Sequence, residues 1–322
     1  MRDYNYLEKK LHNLVFKYKF INLSLFEIEK MLFKKNLDFE NSSHIFITGL
    51  PRSGTTTILN LIYSSNQFAS LIYRNMPFLM SPNISKLINK KNISSKQRAH
   101  KDGINFDLDS PEAFDEIFFR LIDKKNIDMK YEFKKFIELI LISQNKKLYI
   151  SKNNSNYKRI NYINKIFCNS HFLISFRDPL QHAYSLYLQH LNFTELQKKD
   201  TFVKKYMDYL GHHEFGLNHK SWVNPKKYYD TFSLNYWIEQ WTLFYNKIFT
   251  NYKNDPNCKL IPFEELKNKT YLINLIQTLK IKNVNYSIVK DIKSKDVDLI
   301  YDKDVLNEAY SIYNRLYSIK DF

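Results

Sequence analysis

The stretch "HIFITGLPRSGTTTILNLI" (residues 44–62) decides the fold prediction. His44 to Thr48 have the pattern of a buried strand, and Thr55 to Ser65 have the pattern of a helix with one apolar face. The loop between them contains Gly49 and Gly54, two of only 5 glycines in the chain. A strand, a glycine loop and a helix start together favour anion binding, because the first helical N–H groups are unpaired and the helix dipole is positive there.

This loop has the features of an anion-binding site, but it lacks a feature that ATP binding with magnesium requires. The spacing Gly49-x-x-x-x-Gly54 resembles the nucleoside-triphosphate P-loop, in which a lysine follows the second glycine and reaches the outer phosphates. Thr55 stands at that position here, and the cation is Arg52, inside the loop. An ATP-dependent P-loop kinase of small molecules is therefore an alternative that the missing lysine disfavours. A turn without any ligand is the other alternative, and the run of hydroxyls disfavours it.

A second motif lies further along the chain, in "HFLISFRDPLQHAYSLY" (residues 171–187). The apolar run 171–176 predicts another buried strand, and Arg177 follows it directly. Pro179 suits the first turn of a helix, and Ser185 comes eight residues after Arg177. The chain has 8 Arg against 41 Lys, so an arginine in both motifs is informative, because a guanidinium can bind phosphate through two parallel hydrogen bonds. A structural ion pair of Arg177 with a helix carboxylate is the alternative.

The stretch "GLPRSGTT" resembles the loop that binds 3′-phosphoadenosine 5′-phosphosulfate (PAPS) in sulfotransferases, in the form found in tyrosylprotein and related bacterial sulfotransferases. This resemblance implies PAPS as the donor, without a metal. It also implies that Arg177 and Ser185 hold the 3′-phosphate. The residues that it assigns to the 5′-phosphosulfate are Pro51, Arg52, Ser53, Gly54, Thr55, Thr56 and Thr57. Five further stretches resemble one bacterial branch of the superfamily between about residues 44 and 240: "YRNMPF", "DSPEAF", "YISKNNSN", "FRDPLQHAYSL" and "GHHEFGLNHKSW".

Transfer of a sulfuryl group requires aligned reactants, positive charge near the transferred oxygens and a base for the acceptor's proton. Arg52 and Lys152 are the predicted cations. Lys152 ends the predicted strand in "LYISK", and the resemblance implies that a lysine at such a position contacts the sulfuryl group. The alternative is that Lys152 is one more solvated lysine.

The base is less clear from the sequence. Related enzymes place a glutamate 20 to 30 residues after the loop, but no acidic residue occurs between Thr57 and His100. We predict His100 as the base, because the pKa of an imidazole suits proton abstraction near neutrality. Asp102, Glu112 and Glu116 are the alternatives.

Two other segments bear on the site. We predict a helix over residues 110–122, with Ser110 as N-cap and Pro111 in the first turn, so that both glutamates share one face. In "GHHEFGLNHK", the residues His212, His213, Glu214 and His219 form a conceivable metal site, but no cysteine joins them and adjacent histidines point apart. Packing or a substrate-side loop is the preferred interpretation of that stretch.

The whole pattern predicts a P-loop-like three-layer α/β/α fold with a mostly parallel central sheet, in one domain over residues 1–322. We expect substrate-side insertions at 75–130 and 190–240. Residues 1–40 form a predicted helical extension, in which Leu7, Leu11 and Leu14 pack on the core or, as an alternative, form a homodimer contact. The strand predictions are 44–48, 68–73, 148–152, 171–176 and 259–263, and further helix predictions are 130–143 and 230–252.

Composition limits the partners. The net charge is +16 and the pI about 9.4, which allows a non-enzymatic nucleotide- or polyanion-binding protein. No basic run is dense enough to indicate nucleic-acid binding. No apolar run reaches the ~18 residues of a membrane span, and the 2 Cys indicate no disulfide framework, so we expect a cytoplasmic location. The acceptor stays open between a small molecule, a sugar, a lipid and a peptide.

Overall fold

The computed structural model describes residues 4–35, 37–88, 96–97, 105–122, 128–289, 294 and 296–321. The strands in these ranges are β1 Ile45–Thr48, β2 Phe68–Ala69, β3 Lys96–Gln97, β4 Asn105–Phe106, β5 Leu148–Lys152, β6 His171–Phe176 and β7 Cys258–Pro262. The α-helices are α1 Tyr6–Lys17, α2 Lys19–Leu32, α3 Thr55–Tyr63, α4 Pro82–Ile88, α5 Glu116–Leu121, α6 Met129–Gln144, α7 Ile160–Asn164, α8 Pro179–Lys199, α9 Thr201–Leu210, α10 Leu234–Tyr252, α11 Lys269–Thr278 and α12 Lys303–Ser318. Short 3-10 helices cover Tyr73–Asn75, Asn156–Lys158, Phe263–Lys267 and Tyr286–Ile288.

The central sheet has five parallel strands in the order β2-β5-β1-β6-β7. Successive residues of β1 pack on opposite faces. Ile45 and Ile47 belong to the apolar cluster that includes α3 and α11, whereas Phe46 belongs to the cluster that includes α6, α8 and α10. Because both faces are covered by helices, the three-layer α/β/α prediction is confirmed. All five predicted strands are present, although β2 is shorter than predicted.

The strand order places the motifs at one edge of the sheet. From β1 the chain moves outward to β2 and returns to β5, then crosses to the other side of β1 to form β6 and β7. All five strands are parallel, so the residues that follow β5, β1 and β6 lie at the same carboxyl edge. In open α/β sheets, ligands bind at this edge where the strand order reverses.

The helix predicted over residues 110–122 is wrong in its first half. The segment before α5 is extended and pairs with the segment after β2: Pro111 forms an isolated antiparallel bridge with Ile72, and Glu112 N–H donates to Leu71 O (3.2 Å). Ser110 Oγ donates to Asp107 Oδ1 (2.8 Å) and does not cap a helix. Backbone pairing with a neighbouring segment therefore overrides the capping signal, and Glu112 does not share a helix face with Glu116.

The N-terminal extension consists of two helices as predicted, but its predicted packing face is wrong. Leu7, Leu11 and Leu14 are 73%, 39% and 49% exposed. His12 and Val15 are the residues of α1 that are buried. An aromatic cluster on α9 explains this choice, because the ring of His12 packs against Phe202 at 6.0 Å. None of the described helices is both long and apolar enough to cross a membrane.

Candidate anion site at the carboxyl edge of the sheet

The loop between β1 and α3 has a backbone that requires its glycines. Gly49 has φ +134°, and a Cβ atom there would lie 2.4 Å from the carbonyl oxygen of Ser175 at the end of β6. Gly54 has φ +90°, and a Cβ atom there would meet the ring of Phe263 at 2.5 Å. Arg52 also has a positive φ, of 73°. The loop therefore turns tightly against the ends of β6 and β7.

Buried side chains support the loop from behind. His182 Nε2–H donates to Pro51 O (2.7 Å), and its Nδ1 accepts from Trp241 Nε1–H (3.1 Å). Tyr245 OH donates to Ser175 O (2.8 Å). Burial lowers the pKa of His182 to about 3, so this imidazole is neutral. The sequence analysis missed these residues, although His182 lies inside the second motif and Trp241 and Tyr245 share one face of α10.

The loop presents open hydrogen-bond donors. Among the described residues, the backbone N–H groups of Gly54, Thr55 and Thr57 have no acceptor. They lie at the start of α3, where the helix dipole favours negative charge. The hydroxyl of Ser53 is already engaged inside the loop, because it donates to Leu50 O at 2.7 Å. The backbone, more than the Ser53 hydroxyl, thus supplies the donors.

Arg52 and Arg177 come together although they follow different strands. Arg52 Nε–H donates to Ser185 Oγ (3.2 Å), and Arg177 Nη1–H donates to Arg52 O (3.4 Å). The Arg177 guanidinium lies over the ring of Phe263, 4.5 Å from its centroid. Burial lowers the pKa of Arg177 from its ordinary value, although a guanidinium stays protonated in proteins. The two arginines and Ser185 form one positively charged group beside the loop.

The carboxylate next to Arg177 is occupied elsewhere. Asp178 caps α8 by accepting from Gln181 N–H (2.9 Å) and also accepts from Tyr310 OH (3.0 Å). Within the described ranges, no carboxylate forms an ion pair with Arg177. The alternative of a structural ion pair for Arg177 is therefore wrong. The Arg177 guanidinium is available to an anionic ligand.

Lys152 ends β5 and forms a buried ion pair. Its Nζ lies 3.1 Å from Glu112 Oε1, and the two side chains are 10% and 8% exposed. Glu112 also accepts from Tyr73 OH (3.0 Å) and from Ala113 N–H (3.0 Å). The alternative of an ordinary solvated lysine is wrong, because Lys152 is buried between β1 and the extended segment before α5 that contains Glu112.

The other predicted acid–base residues divide into two groups. Glu116 is engaged with Arg159 (2.7 Å) and with Asn153 Nδ2–H (2.8 Å), so it has a structural role. His100 and Asp102 lie outside the described residues. Their assignment as base and as alternative stays a prediction.

The stretch 211–220 forms a loop after α9 and faces the same edge. His212 Nδ1 lies 3.5 Å from Glu214 Oε1, which also accepts from Asn154 Nδ2–H (3.2 Å). His219 bonds through its two ring nitrogens to Glu214 O (2.8 Å) and Tyr236 OH (2.6 Å). In the part of the chain that the structure describes, no group of three or more His, Cys, Asp or Glu residues could hold a metal ion.

Comparisons with known proteins identify the family of the chain and a similar fold. The sequence profile of the Sulfotransferase family matches residues 44–254. The solved structure of sulfotransferase STF1 from Mycobacterium tuberculosis H37Rv is similar in fold, with a TM-score of 0.51 and 10% identity over 98% of this chain and 87% of that chain.

Two further solved structures are similar at lower TM-scores. A sulfotransferase from Alicyclobacillus acidocaldarius has a TM-score of 0.40 and 11% identity over 87% of this chain and 97% of that one. The sulfotransferase domain of the Synechococcus PCC 7002 olefin synthase has a TM-score of 0.38 and 13% identity over 87% and 98%. No curated protein matches the sequence.

Proposed function

Because the chain belongs to the Sulfotransferase family, we propose that it transfers the sulfuryl group of PAPS to a hydroxyl or amine of an acceptor. The supporting observation is that Arg52, Lys152 and Arg177 lie at the carboxyl ends of three adjacent strands. A donor with two separate phosphate groups needs cations at two separate positions.

The described residues fit the two ends of this donor. The open N–H groups at the start of α3 and the Arg52 side chain would hold the 5′-phosphosulfate, together with the hydroxyls of Thr55 to Thr57. Arg177 and Ser185 would hold the 3′-phosphate. The bound donor supplies an activated sulfuryl group. The residues supply orientation and positive charge without a metal ion.

Lys152 would act at the transferred group. Its ammonium lies at the end of the strand beside β1, and Glu112 lies 3.1 Å from it and balances its charge. A fixed ammonium there would stabilise negative charge on the oxygens between donor and acceptor. Glu112 keeps the lysine oriented, because Tyr73 and the Ala113 amide hold this carboxylate in turn.

Calorimetry with purified protein tests the donor assignment. We expect adenosine 3′,5′-bisphosphate to bind at least about tenfold more tightly than AMP, in the presence of a metal chelator, because a guanidinium–phosphate contact contributes at least about 1.4 kcal/mol. Arg177→Met should remove this preference while AMP affinity stays unchanged. Equal affinity of the unmodified protein for the bisphosphate and AMP would contradict the proposed function. Tighter binding of ATP than of the bisphosphate would favour the kinase.

A further inference from the structure

The loop after α9 places an imidazole near the end of β5: His212 faces Glu214, which accepts a hydrogen bond from Asn154, two residues after Lys152. Gly211 ends α9 with φ +76°, and a Cβ atom there would lie 2.7 Å from Cδ of Arg120, so the loop lies directly on α5. His212 N–H donates to Met207 O (2.9 Å), which fixes the backbone of the loop at its start. The sequence analysis interprets this stretch as packing or a substrate-side loop, and the fold places it near the end of β5.

One ring nitrogen of His212 is oriented and the other is open. Nδ1 faces Glu214 Oε1 at 3.5 Å. Glu214 is itself held by Asn154, which follows Lys152 by two residues, and by the contact of His219 with its carbonyl oxygen. A carboxylate at Nδ1 favours the proton on that nitrogen, which leaves the lone pair on Nε2. Among the described residues Nε2 has no hydrogen-bond partner, and the side chain is 25% exposed.

The charges around His212 come from three segments. Glu214 lies in its own loop, Glu112 in the bridged segment before α5, and Lys152 at the end of β5. Burial and the Lys152 ammonium oppose protonation, but the two carboxylates outweigh them and raise the pKa of His212. Glu112 is the weaker candidate for accepting a proton, because it already accepts hydrogen bonds from Lys152, Tyr73 and Ala113.

We propose that His212, in place of the predicted His100, is the catalytic base of the transfer and that Glu214 is its positioning residue. This inference rests on the proposed function. The acceptor oxygen or nitrogen attacks sulfur, the bond between sulfur and the 5′-phosphate oxygen breaks, and the acceptor's proton moves to Nε2 of His212. The products are the sulfated acceptor and adenosine 3′,5′-bisphosphate, and the imidazolium then releases its proton to solvent.

The test compares His212→Asn and Glu214→Gln with the control His213→Asn. His213 is adjacent, but its Nδ1 faces Asp208 at 3.5 Å on the other side. Turnover of PAPS is measured with water as the probe acceptor, and affinity for adenosine 3′,5′-bisphosphate is measured by calorimetry. We expect His212→Asn to lower turnover by about 10²–10⁴-fold, while bisphosphate affinity stays within about twofold. His213→Asn should keep both.

Glu214→Gln tests the positioning role through the pH dependence of turnover. A purely structural role of Glu214 would leave that pH dependence unchanged. Turnover should fall on the acid side of the His212 pKa, since only the neutral imidazole accepts a proton. Because Glu214 raises this pKa, Glu214→Gln should move the acid limb to lower pH. Unchanged turnover in His212→Asn, or an unchanged limb in Glu214→Gln, would overturn the assignment of the base. Failure of the unmodified protein to bind the bisphosphate would instead reject the proposed function.

A different observation carries a second inference, about the surface of α1 and α2. Nine of the 17 large apolar side chains that are exposed among the described residues lie in residues 4–35. They are Tyr6, Leu7, Leu11, Leu14, Tyr18, Phe20, Ile28, Met31 and Leu32. The exposed charged residues of the same segment are five lysines and one glutamate: Lys10, Lys17, Lys19, Lys34, Lys35 and Glu27. We name these apolar and basic residues the N-terminal face.

Charge decides which partner fits the N-terminal face. The five lysines form no ion pair with any described residue, whereas Glu27 is paired with Lys30 (2.8 Å). A second copy of the chain would bring lysines against lysines. An anionic lipid surface would accept the apolar side chains and pair with the lysines. We infer that the N-terminal face binds an anionic membrane surface without crossing it.

Vesicle co-sedimentation tests this second inference. We expect binding to vesicles of 70% phosphatidylcholine and 30% phosphatidylglycerol to exceed binding to pure phosphatidylcholine by about tenfold or more. The triple variant Leu7→Ser, Leu11→Ser, Leu14→Ser should lose it. The control Tyr228→Ser, Ile300→Ser changes two side chains that are 102% and 97% exposed elsewhere and should keep it. Absence of vesicle binding would overturn the inference, as would a dimer in ultracentrifugation that the triple variant dissociates.

Discussion

Arg52 and Ser185 are 133 positions apart in the chain, yet Nε of Arg52 donates a hydrogen bond of 3.2 Å to the hydroxyl of Ser185. One residue belongs to the loop after β1 and the other to α8 after β6. The contact joins the proposed sites of the 5′-phosphosulfate and the 3′-phosphate. Less side-chain freedom is then lost on binding than two separate, mobile side chains would lose.

The planar guanidinium of Arg177 should be necessary for tight binding of the 3′-phosphate. Arg177→Lys keeps the charge but loses the parallel hydrogen bonds and the stacking on Phe263. We expect bisphosphate affinity to fall by about tenfold or more, with AMP affinity unchanged in calorimetry. Lys259→Arg is a control that alters a cation paired with Asp321 (3.1 Å), outside the site. Full affinity in Arg177→Lys would mean that charge alone suffices.

Removing the Lys152 charge should affect turnover and stability separately. Lys152→Met should lower PAPS turnover by about 10²-fold or more and cost about 3–5 kcal/mol of unfolding free energy, because it breaks a buried ion pair with Glu112. The double variant Lys152→Met, Glu112→Gln should regain most of the stability in urea unfolding but none of the turnover. If turnover returns with stability, Lys152 is only a structural residue.

Gly49 should tolerate no side chain. Gly49→Ala places a Cβ atom 2.4 Å from a backbone oxygen at a positive φ, so we expect a loss of about 3 kcal/mol or more together with loss of bisphosphate binding. Gly216→Ala is the matched control: its φ is also positive, but the atom it meets is the side chain of Gln197. That variant should lose stability in thermal unfolding and keep the affinity. Bisphosphate binding by Gly49→Ala at normal strength would show that the loop can rearrange.

Acidification should destabilise the protein through buried neutral histidines. Burial lowers the pKa of His182 to about 3 and that of His44 to about 4, from an ordinary value of 6.5. The unfolded chain therefore binds more protons between these values, so stability is complete above about pH 6.5 and falls as pH decreases toward 4. Between pH 6.5 and 5 each histidine should account for about 2 kcal/mol, measured as urea midpoints.

A pair of variants separates this effect from ligand binding. His44 lies at the opposite end of β1, where Nε2–H donates to Phe39 O (2.9 Å) and Nδ1 accepts from Tyr149 N–H (3.0 Å). Both His182→Gln and His44→Gln should flatten the pH dependence of stability. Only His182→Gln should weaken bisphosphate binding, because His182 supports the loop. An unchanged slope in both variants would show that other groups govern acid unfolding.

The parts of the structure that depend on local sequence patterns were predicted correctly. Apolar runs gave all five strands of the central sheet, and strand-end positions placed Arg52, Lys152 and Arg177 at one edge. Contacts between distant segments were not predictable in this way. Pro111 looks like a helix start but pairs with Ile72, because a neighbouring extended segment offers backbone partners that no local pattern reveals. His212 looks like one histidine among several until the fold places it against Glu214, which also contacts Asn154 after β5.

The contact of Phe263 with both Arg177 and Gly54 has a consequence for how much of the chain forms the functional unit. The Sulfotransferase family profile ends at residue 254, and the hydrogen bond from Tyr310 to Asp178 also originates beyond it. A polypeptide cut after residue 254 would keep every recognisable motif. It would still lose β7, the aromatic surface under Arg177 and the tyrosine that holds the neighbouring carboxylate. Boundaries for expression or for comparing relatives should therefore follow the contacts of the phosphate-binding residues rather than the span of the motifs.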